Sequence, residues 1–289
     1  MNIIRSWLIA PANRPNYMAK FPGLGADCSV IDLEDGVPEA HKAESRRSLG
    51  ELTRSLRKAG LSGALTVRVN APGSEQLKAD LEMLHGWEVD GISVPKLRSA
   101  EDVRWIGAQL DRASERSGRG YTIVAGIESA LGVLNASEIA FADERVIAMY
   151  FGAEDFATDL LGARRTREGL EVLYARSRVV LAAKARRIGA IDQGVLEIHD
   201  DARFLEDAEA ARNLGYDGKV CLNPRQVELA HQAFSPSADE VDFSRRLIAA
   251  VDEAEARGIG TIDFEGRMID GPLLKRCRNI LVLADASGA

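Results

Sequence analysis

The chain has 289 residues, 46% of them hydrophobic and 28% charged, with a formal net charge of −7. That length exceeds a typical single domain but suits a closed α/β barrel, which needs about 250 residues. The acidic balance argues against general nucleic-acid binding, the scattered Cys28, Cys221 and Cys277 against a disulfide framework or a thiolate metal site, and the want of a long apolar run against a membrane span.

In chain order, short β-branched runs alternate with helical patterns. Strands are expected at 6–10, 28–33, 65–69, 91–94, 122–127, 146–151, 190–195 and 219–222. The segments between them carry helix signals. Ser99-Ala100-Glu101-Asp102 reads as a capping box, followed by Val103, Ile106 and Leu110 on one face. Leu77, Leu81 and Leu84 form another such face, and Asn223-Pro224 reads as an N-cap with proline at the first helical position. Eight strand–helix repeats imply a parallel sheet, and the number favours a (β/α)8 TIM barrel of the α/β class over an open doubly wound sheet. No G-x-G-x-x-G follows the first strand, which weakens a dinucleotide-binding reading.

The barrel is expected to span 1–236, and 237–289 to form a C-terminal helical appendage. In that appendage a helix at 238–257, a glycine-rich, partly extended connection at 258–271 and a last helix at 272–286 are expected. Its apolar residues Ile259, Ile262, Phe264, Met268 and Ile269 need cover, from the barrel mouth or from a neighbouring subunit. Residues 1–5 open no hydrophobic signal core, so the expected compartment is the reducing cytoplasm.

In a barrel, polar residues at the carboxyl ends of strands are the ones to suspect. Here those ends read Asp32-Leu33-Glu34-Asp35, Arg68-Val69-Asn70, Pro95-Lys96, Glu128 and Glu154-Asp155. Acids dominate and histidine is absent, a donor set that disfavours zinc and favours a hard cation such as Mg2+. Each has a structural reading as well. Glu34 could be a surface charge, Asp35-Gly36 turn chemistry, and Glu128 or Asp155 a helix cap. Arg68 could be the structural ion-pair partner of Asp32 or Glu34, since a buried arginine without a partner is costly.

These stretches, in this order, resemble the citrate lyase β-subunit-like CoA-ester lyases of the HpcH/HpaI aldolase/citrate lyase family. Arg5-Ser6-Trp7-Leu8 with Pro11 resembles the family's opening strand, and Asp32-Leu33-Glu34-Asp35 its second-strand motif. Arg68-Val69-Asn70, Pro95-Lys96, Ile127-Glu128-Ser129, Phe151-Gly152-Ala153-Glu154-Asp155-Phe156 and Met268-Ile269-Asp270-Gly271-Pro272 follow in family order. One departure is Asn223-Pro224-Arg225-Gln226, with asparagine where a histidine is common before the proline.

The resemblance implies Mg2+ bound by Glu128 and Asp155, with Arg68 at the substrate and Glu34 and Asp35 beside it. It implies reversible C–C cleavage of a 3-hydroxy-carboxyacyl-CoA, such as malyl-, citramalyl- or citryl-CoA, into an acyl-CoA and a 2-oxo acid. A homo-oligomer is implied too, a trimer or a multiple of one. Arg68 stays protonated and cannot be a base, but it can stabilise an oxyanion. The base implied by the resemblance is Asp270, reaching a neighbour's site. Arg14 and Lys20 could meet the CoA phosphates or could belong to a solvated face, and Lys42 and Arg46 share that ambiguity. Two rivals stand beside this reading. One is a metal-dependent 4-hydroxy-2-oxo-acid aldolase acting on free acids, against which His41 is the nearest histidine to the second strand. The other is a non-catalytic lyase-like subunit.

Overall fold

The computed structural model describes residues 4–258 and 262–287, so Ile259 lies outside the described residues. Eight parallel strands close into a barrel in sequence order: β1 (Ser6–Pro11), β2 (Cys28–Asp32), β3 (Ala64–Arg68), β4 (Gly91–Val94), β5 (Thr122–Ile127), β6 (Val146–Phe151), β7 (Gly189–Asp192) and β8 (Gly218–Cys221). Every expected strand is present. The largest difference is β7, expected to run to residue 195. Its ladder with β8 stops at Asp192↔Lys219. Beyond that point the Gln226 amide takes over, accepting from Leu222 N at 2.7 Å and donating to Val195 O at 3.1 Å.

The helix signals hold locally. Ser99 and Asp102 form the capping box of helix Ala100–Ser117, whose buried face includes Val103, Ile106 and Leu110. Asn223 accepts from Gln226 N at 2.9 Å at the start of helix Pro224–Phe234. Leu77 and Leu81 are buried on helix Glu75–Met83, and Leu84 begins the short 3-10 turn after it.

Strand side chains alternate between the two faces of the barrel wall. One parity fills the interior, where Trp7, Cys28, Val30, Val124, Ala148 and Tyr150 belong to one buried cluster. The same parity carries Asp32 and Arg68 to the carboxyl end. The opposite parity faces the helices and includes a charged cluster. Lys219 of β8, fully buried, donates to Asp192 Oδ2 at 2.7 Å and Asp207 Oδ2 at 2.5 Å, and Arg176 pairs with both acids. Asp207 lies on helix Asp201–Leu214 and Arg176 on helix Leu170–Arg186, so the cluster ties both helices to β7 and β8.

The described chain divides into two compact units, one running to Ala233 and one from Phe234 onward. The second contains helix Ala238–Ala256, a hairpin of Asp263–Phe264 and Arg267–Met268, and helix Gly271–Ser287. It has its own core of Leu247, Val251, Ile269 and Cys277, with Ile262 and Phe264 packed against it. Much of the apolar cover expected from elsewhere is therefore supplied within the unit; Met268 stays 79% exposed. Among the described residues, no helix is long and apolar enough to cross a membrane.

Candidate active site

Asp32 and Arg68 are register partners on β2 and β3. The guanidinium grips the carboxylate with both arms, Nε to Oδ1 and Nη2 to Oδ2, each at 2.7 Å. Nη1 lies 3.3 Å from Glu34 Oε2. Asp32 also accepts the backbone N–H of Glu34 and of Gly36, each at 2.9 Å, which curls the chain after β2 and aims Glu34 inward. Glu34 is therefore buried and not a surface charge. The structural reading of Arg68 as an ion-pair residue holds, yet the pairing also fixes the orientation of its remaining N–H groups at the wall of a cavity.

Lys96, just beyond β4, gathers three acids from two strand ends, those of β2 and β6. Its Nζ lies 2.6 Å from Glu34 Oε1, 2.6 Å from Asp35 Oδ2 and 3.3 Å from Asp155 Oδ1. Lys96 sits at φ +53°, a left-handed conformation that costs a non-glycine residue about 1 kcal/mol and clusters at functional sites. The partners respond differently. Burial pushes the Glu34 carboxyl above its ordinary value against the pull of Arg68 and Lys96. Burial also pushes Asp35 up, but the Lys96 bond and charge win and hold it below. Burial opposes the charge on Lys96, and its bonds to Asp35 and Glu34 nonetheless keep it firmly protonated.

Glu128 follows β5 and is 2% exposed. It does not cap the helix after it; Ser129 does, accepting from Gly132 N at 3.1 Å. Tyr150 of β6 instead donates its hydroxyl to Glu128 Oε1, while Oε2 has no hydrogen-bond partner among the described residues. Burial drives the Glu128 carboxyl up to about 8, against the Tyr150 bond and the charge of Arg68. Gly152 makes room for it, because a Cβ there would lie 2.6 Å from Glu128 Cγ. Asp155, in the first turn of helix Ala153–Asp159, makes no capping bond and is 40% exposed. A cavity of about 160 Å³ is bounded by Arg68, Glu128, Tyr150 and Asp155 and floored by Trp7 and Val220.

A hard cation fits this site. A buried carboxylate oxygen without a partner faces a small cavity beside a second carboxylate, and the donors are oxygen. Among the described residues no group of three or more His, Cys, Asp and Glu side chains could hold a metal by itself. A cation held by Glu128 and Asp155 would complete its shell with water and substrate oxygens.

The structure thus brings together Glu34, Asp35, Arg68, Lys96, Glu128 and Asp155. Glu154 also borders the cavity but pairs with Arg165, 3.0 Å from its Nε. Arg14 and Lys20 are exposed, and Asp270 belongs to the second unit, where its Oδ1 accepts from Leu273 N at 3.1 Å and caps the last helix. Lys42 and Arg46 are structural: Lys42 Nζ holds the carbonyls of Leu33 and Glu34, each at 3.1 Å, and Arg46 pairs with Asp80 at 2.7 Å. Among the described residues no histidine lines the cavity, and His41 is exposed. Sequence reasoning passed over Tyr150, whose only signal was a hydroxyl at an inward strand position, two residues before Gly152.

The sequence model of the HpcH/HpaI aldolase/citrate lyase family matches residues 5–224. A citrate lyase subunit beta-like protein of Deinococcus radiodurans is 44% identical over 282 residues, covering 96% of each chain. The mitochondrial citramalyl-CoA lyase of Homo sapiens is 32% identical, covering 97% of this chain and 85% of that one. Among solved structures, the protein CitE of Mycobacterium tuberculosis in complex with magnesium, acetoacetate and coenzyme A has a TM-score of 0.80 at 32% identity, covering 98% of both chains.

Proposed function

Because the chain belongs to the HpcH/HpaI aldolase/citrate lyase family and is a lyase, we propose that it cleaves a 3-hydroxy-carboxyacyl-CoA reversibly into an acyl-CoA and a 2-oxo acid, with Mg2+ held by Glu128 and Asp155. One observation supports this most directly. Among the described residues, Oε2 of the buried Glu128 stands without a partner at a small cavity that Arg68 and Asp155 also wall. The similar protein CitE supports the same ligands, since its structure is a complex with magnesium, acetoacetate and coenzyme A.

Mg2+ bound there would supply Lewis acidity and a template for the carboxylate and carbonyl oxygens of an oxo acid. The chain's own residues do the rest. Arg68, held by Asp32 at the cavity wall, stabilises negative charge that develops there. It remains protonated throughout, so it moves no proton. Lys96 holds Glu34 and Asp35 in place and balances their charge at the rim. The proton is assigned to Asp270 of a neighbouring subunit, an exposed carboxylate at the start of the last helix. Arg14 and Lys20 are proposed contacts for the CoA phosphates.

A homo-oligomer is part of the proposal, and the surface of the barrel unit supports it. Leu134, Phe141, Tyr174 and Leu181 are all more than half exposed, on adjacent helices Ala130–Leu134, Ala136–Phe141 and Leu170–Arg186. Apolar area of that kind marks an association surface. A cytoplasmic location is proposed on the three unpaired, buried cysteines.

The test is a panel of malyl-, citramalyl- and citryl-CoA with Mg2+, following release of acyl-CoA. Cleavage of at least one thioester is expected. Cleavage of free 4-hydroxy-2-oxo acids alone would replace this reading with the aldolase, and no cleavage of either class with a non-catalytic subunit.

A further inference from the structure

We propose that Tyr150 is a positioning residue whose hydroxyl fixes one oxygen of Glu128 and so presents the other to the cation site. The inference rests on the reading of Glu128 as a metal ligand.

The inward rows of β5 and β6 complement each other in size. Gly126 and Tyr150 are register partners, and Ile127 and Phe151 are the next pair. The row on β5 therefore runs from glycine to Glu128, while the row on β6 runs from Tyr150 to glycine. Large and small positions are exchanged between the two strands. A Cβ at Gly126 would lie 2.4 Å from the Tyr150 hydroxyl oxygen and 2.5 Å from its Cζ, so only glycine there admits the ring. A Cβ at Gly152 would meet Glu128 Cγ at 2.6 Å, so only glycine there admits the carboxylate. The ring fills the space beside β5, and its hydroxyl reaches Glu128 one layer nearer the mouth.

The ring is itself held. It stacks on Trp7 of β1, with centroids 5.0 Å apart and planes 29° from parallel, and both side chains are buried. A buried carboxylate needs donors to stay in one orientation. Tyr150 is the donor to Oε1, and Oε2 is left unpartnered. Outer-shell hydrogen bonds of this kind orient a metal-binding carboxylate, and losing one typically weakens metal affinity about 10–100-fold.

Filling the core would need only the ring, whereas positioning needs the oxygen, and this difference gives the test. Mn2+ binding to the purified full-length chain is measured by calorimetry for the wild type, Tyr150→Phe, Tyr150→Leu and Glu128→Ala. Tyr150→Phe keeps the ring and the Trp7 stack. It is expected to weaken Mn2+ binding about 10–100-fold, nearly as much as Tyr150→Leu, with little change in thermal stability. Gly126→Ala, which drives a methyl into the hydroxyl's place and leaves both Tyr150 and Glu128 intact, is expected to weaken binding as well. Tyr150→Phe binding Mn2+ within about twofold of the wild type, while Glu128→Ala does not bind, would overturn the positioning role and leave the metal reading standing. If Glu128→Ala bound Mn2+ as the wild type does, the metal reading would fall and this inference with it.

Discussion

Arg68 and Asp32 stand at the same register position on neighbouring strands and meet through two parallel bonds of 2.7 Å. The pair makes a planar fork the requirement at position 68. Arg68→Lys retains charge but cannot reproduce the two-armed grip, so it is expected to lose about two to three orders of magnitude in kcat, nearly as much as Arg68→Ala. Arg68→Ala is also expected to cost about 3–5 kcal/mol of stability by stranding a buried carboxylate. Steady-state kinetics beside urea denaturation separates the two effects. A lysine variant near the wild-type rate would remove Arg68 from substrate handling and leave it structural.

Glu128 and Asp155 serve one cation in the proposed reading. Glu128→Ala and Asp155→Ala are each expected to abolish most turnover, and the double variant to be no worse than either alone. The measurement is kcat/KM against Mg2+ concentration for the three variants. Additive losses would mean that the two carboxylates act on separate things.

Asp207 gives a pH dependence with a defined sign. Burial would raise its carboxyl, but Lys219 and Arg176 outweigh burial and hold it at about 2, below its ordinary 3.8. A depressed acid contributes stability that is present in full above its unfolded value and lost as pH falls through the folded one. The lost contribution between pH 3.8 and about 2 is about 2 kcal/mol. Acid-unfolding curves should therefore be steep in that window for the wild type and flatter for Asp207→Asn. The variant should also be about 3–5 kcal/mol less stable at neutral pH, because buried charges lose a partner. Parallel curves for the two proteins would contradict the assignment.

Asp270 caps a helix in the second unit, a role that needs no active site. If it also supplies the proton to a neighbour's barrel, inactive Asp270→Asn chains mixed with inactive Asp155→Ala chains should regain partial activity after subunit exchange. Complete absence of recovery, with exchange verified by differently tagged chains, would confine Asp270 to the cap.

The barrel was legible because each strand is a short β-branched run and each helix carries its own periodicity or cap, as at Ser99 and Asn223. The acids and Arg68 were legible because they fall just where those runs end. Beyond Arg68 with Asp32 or Glu34, what could not be read was pairing. Lys219 sits in a strand with no sign that Asp192 and Asp207, from two other elements, would neutralise it, or that Arg176 would share both acids. Lys42 and Arg46 looked like solvated cations one turn apart, but their partners at Leu33, Glu34 and Asp80 are fixed only by the fold. Tyr150 looked like strand bulk, since its meaning depends on a glycine across the ladder.

The cluster around Lys219 bears on how the cylinder shuts. The β7–β8 ladder has just two register pairs, fewer than any other seam. A barrel open there would break Lys219–Asp192 and Arg176–Asp207 and leave each of the four charges one partner short, so a half-shut intermediate is penalised on both sides of the gap. Shutting the seam and docking the helices that carry Arg176 and Asp207 should then be one concerted event. In native-state hydrogen exchange the amides of Gly189–Asp192 and Gly218–Cys221 should open together at a single free energy, and separate opening would show that the seam zips one strand at a time.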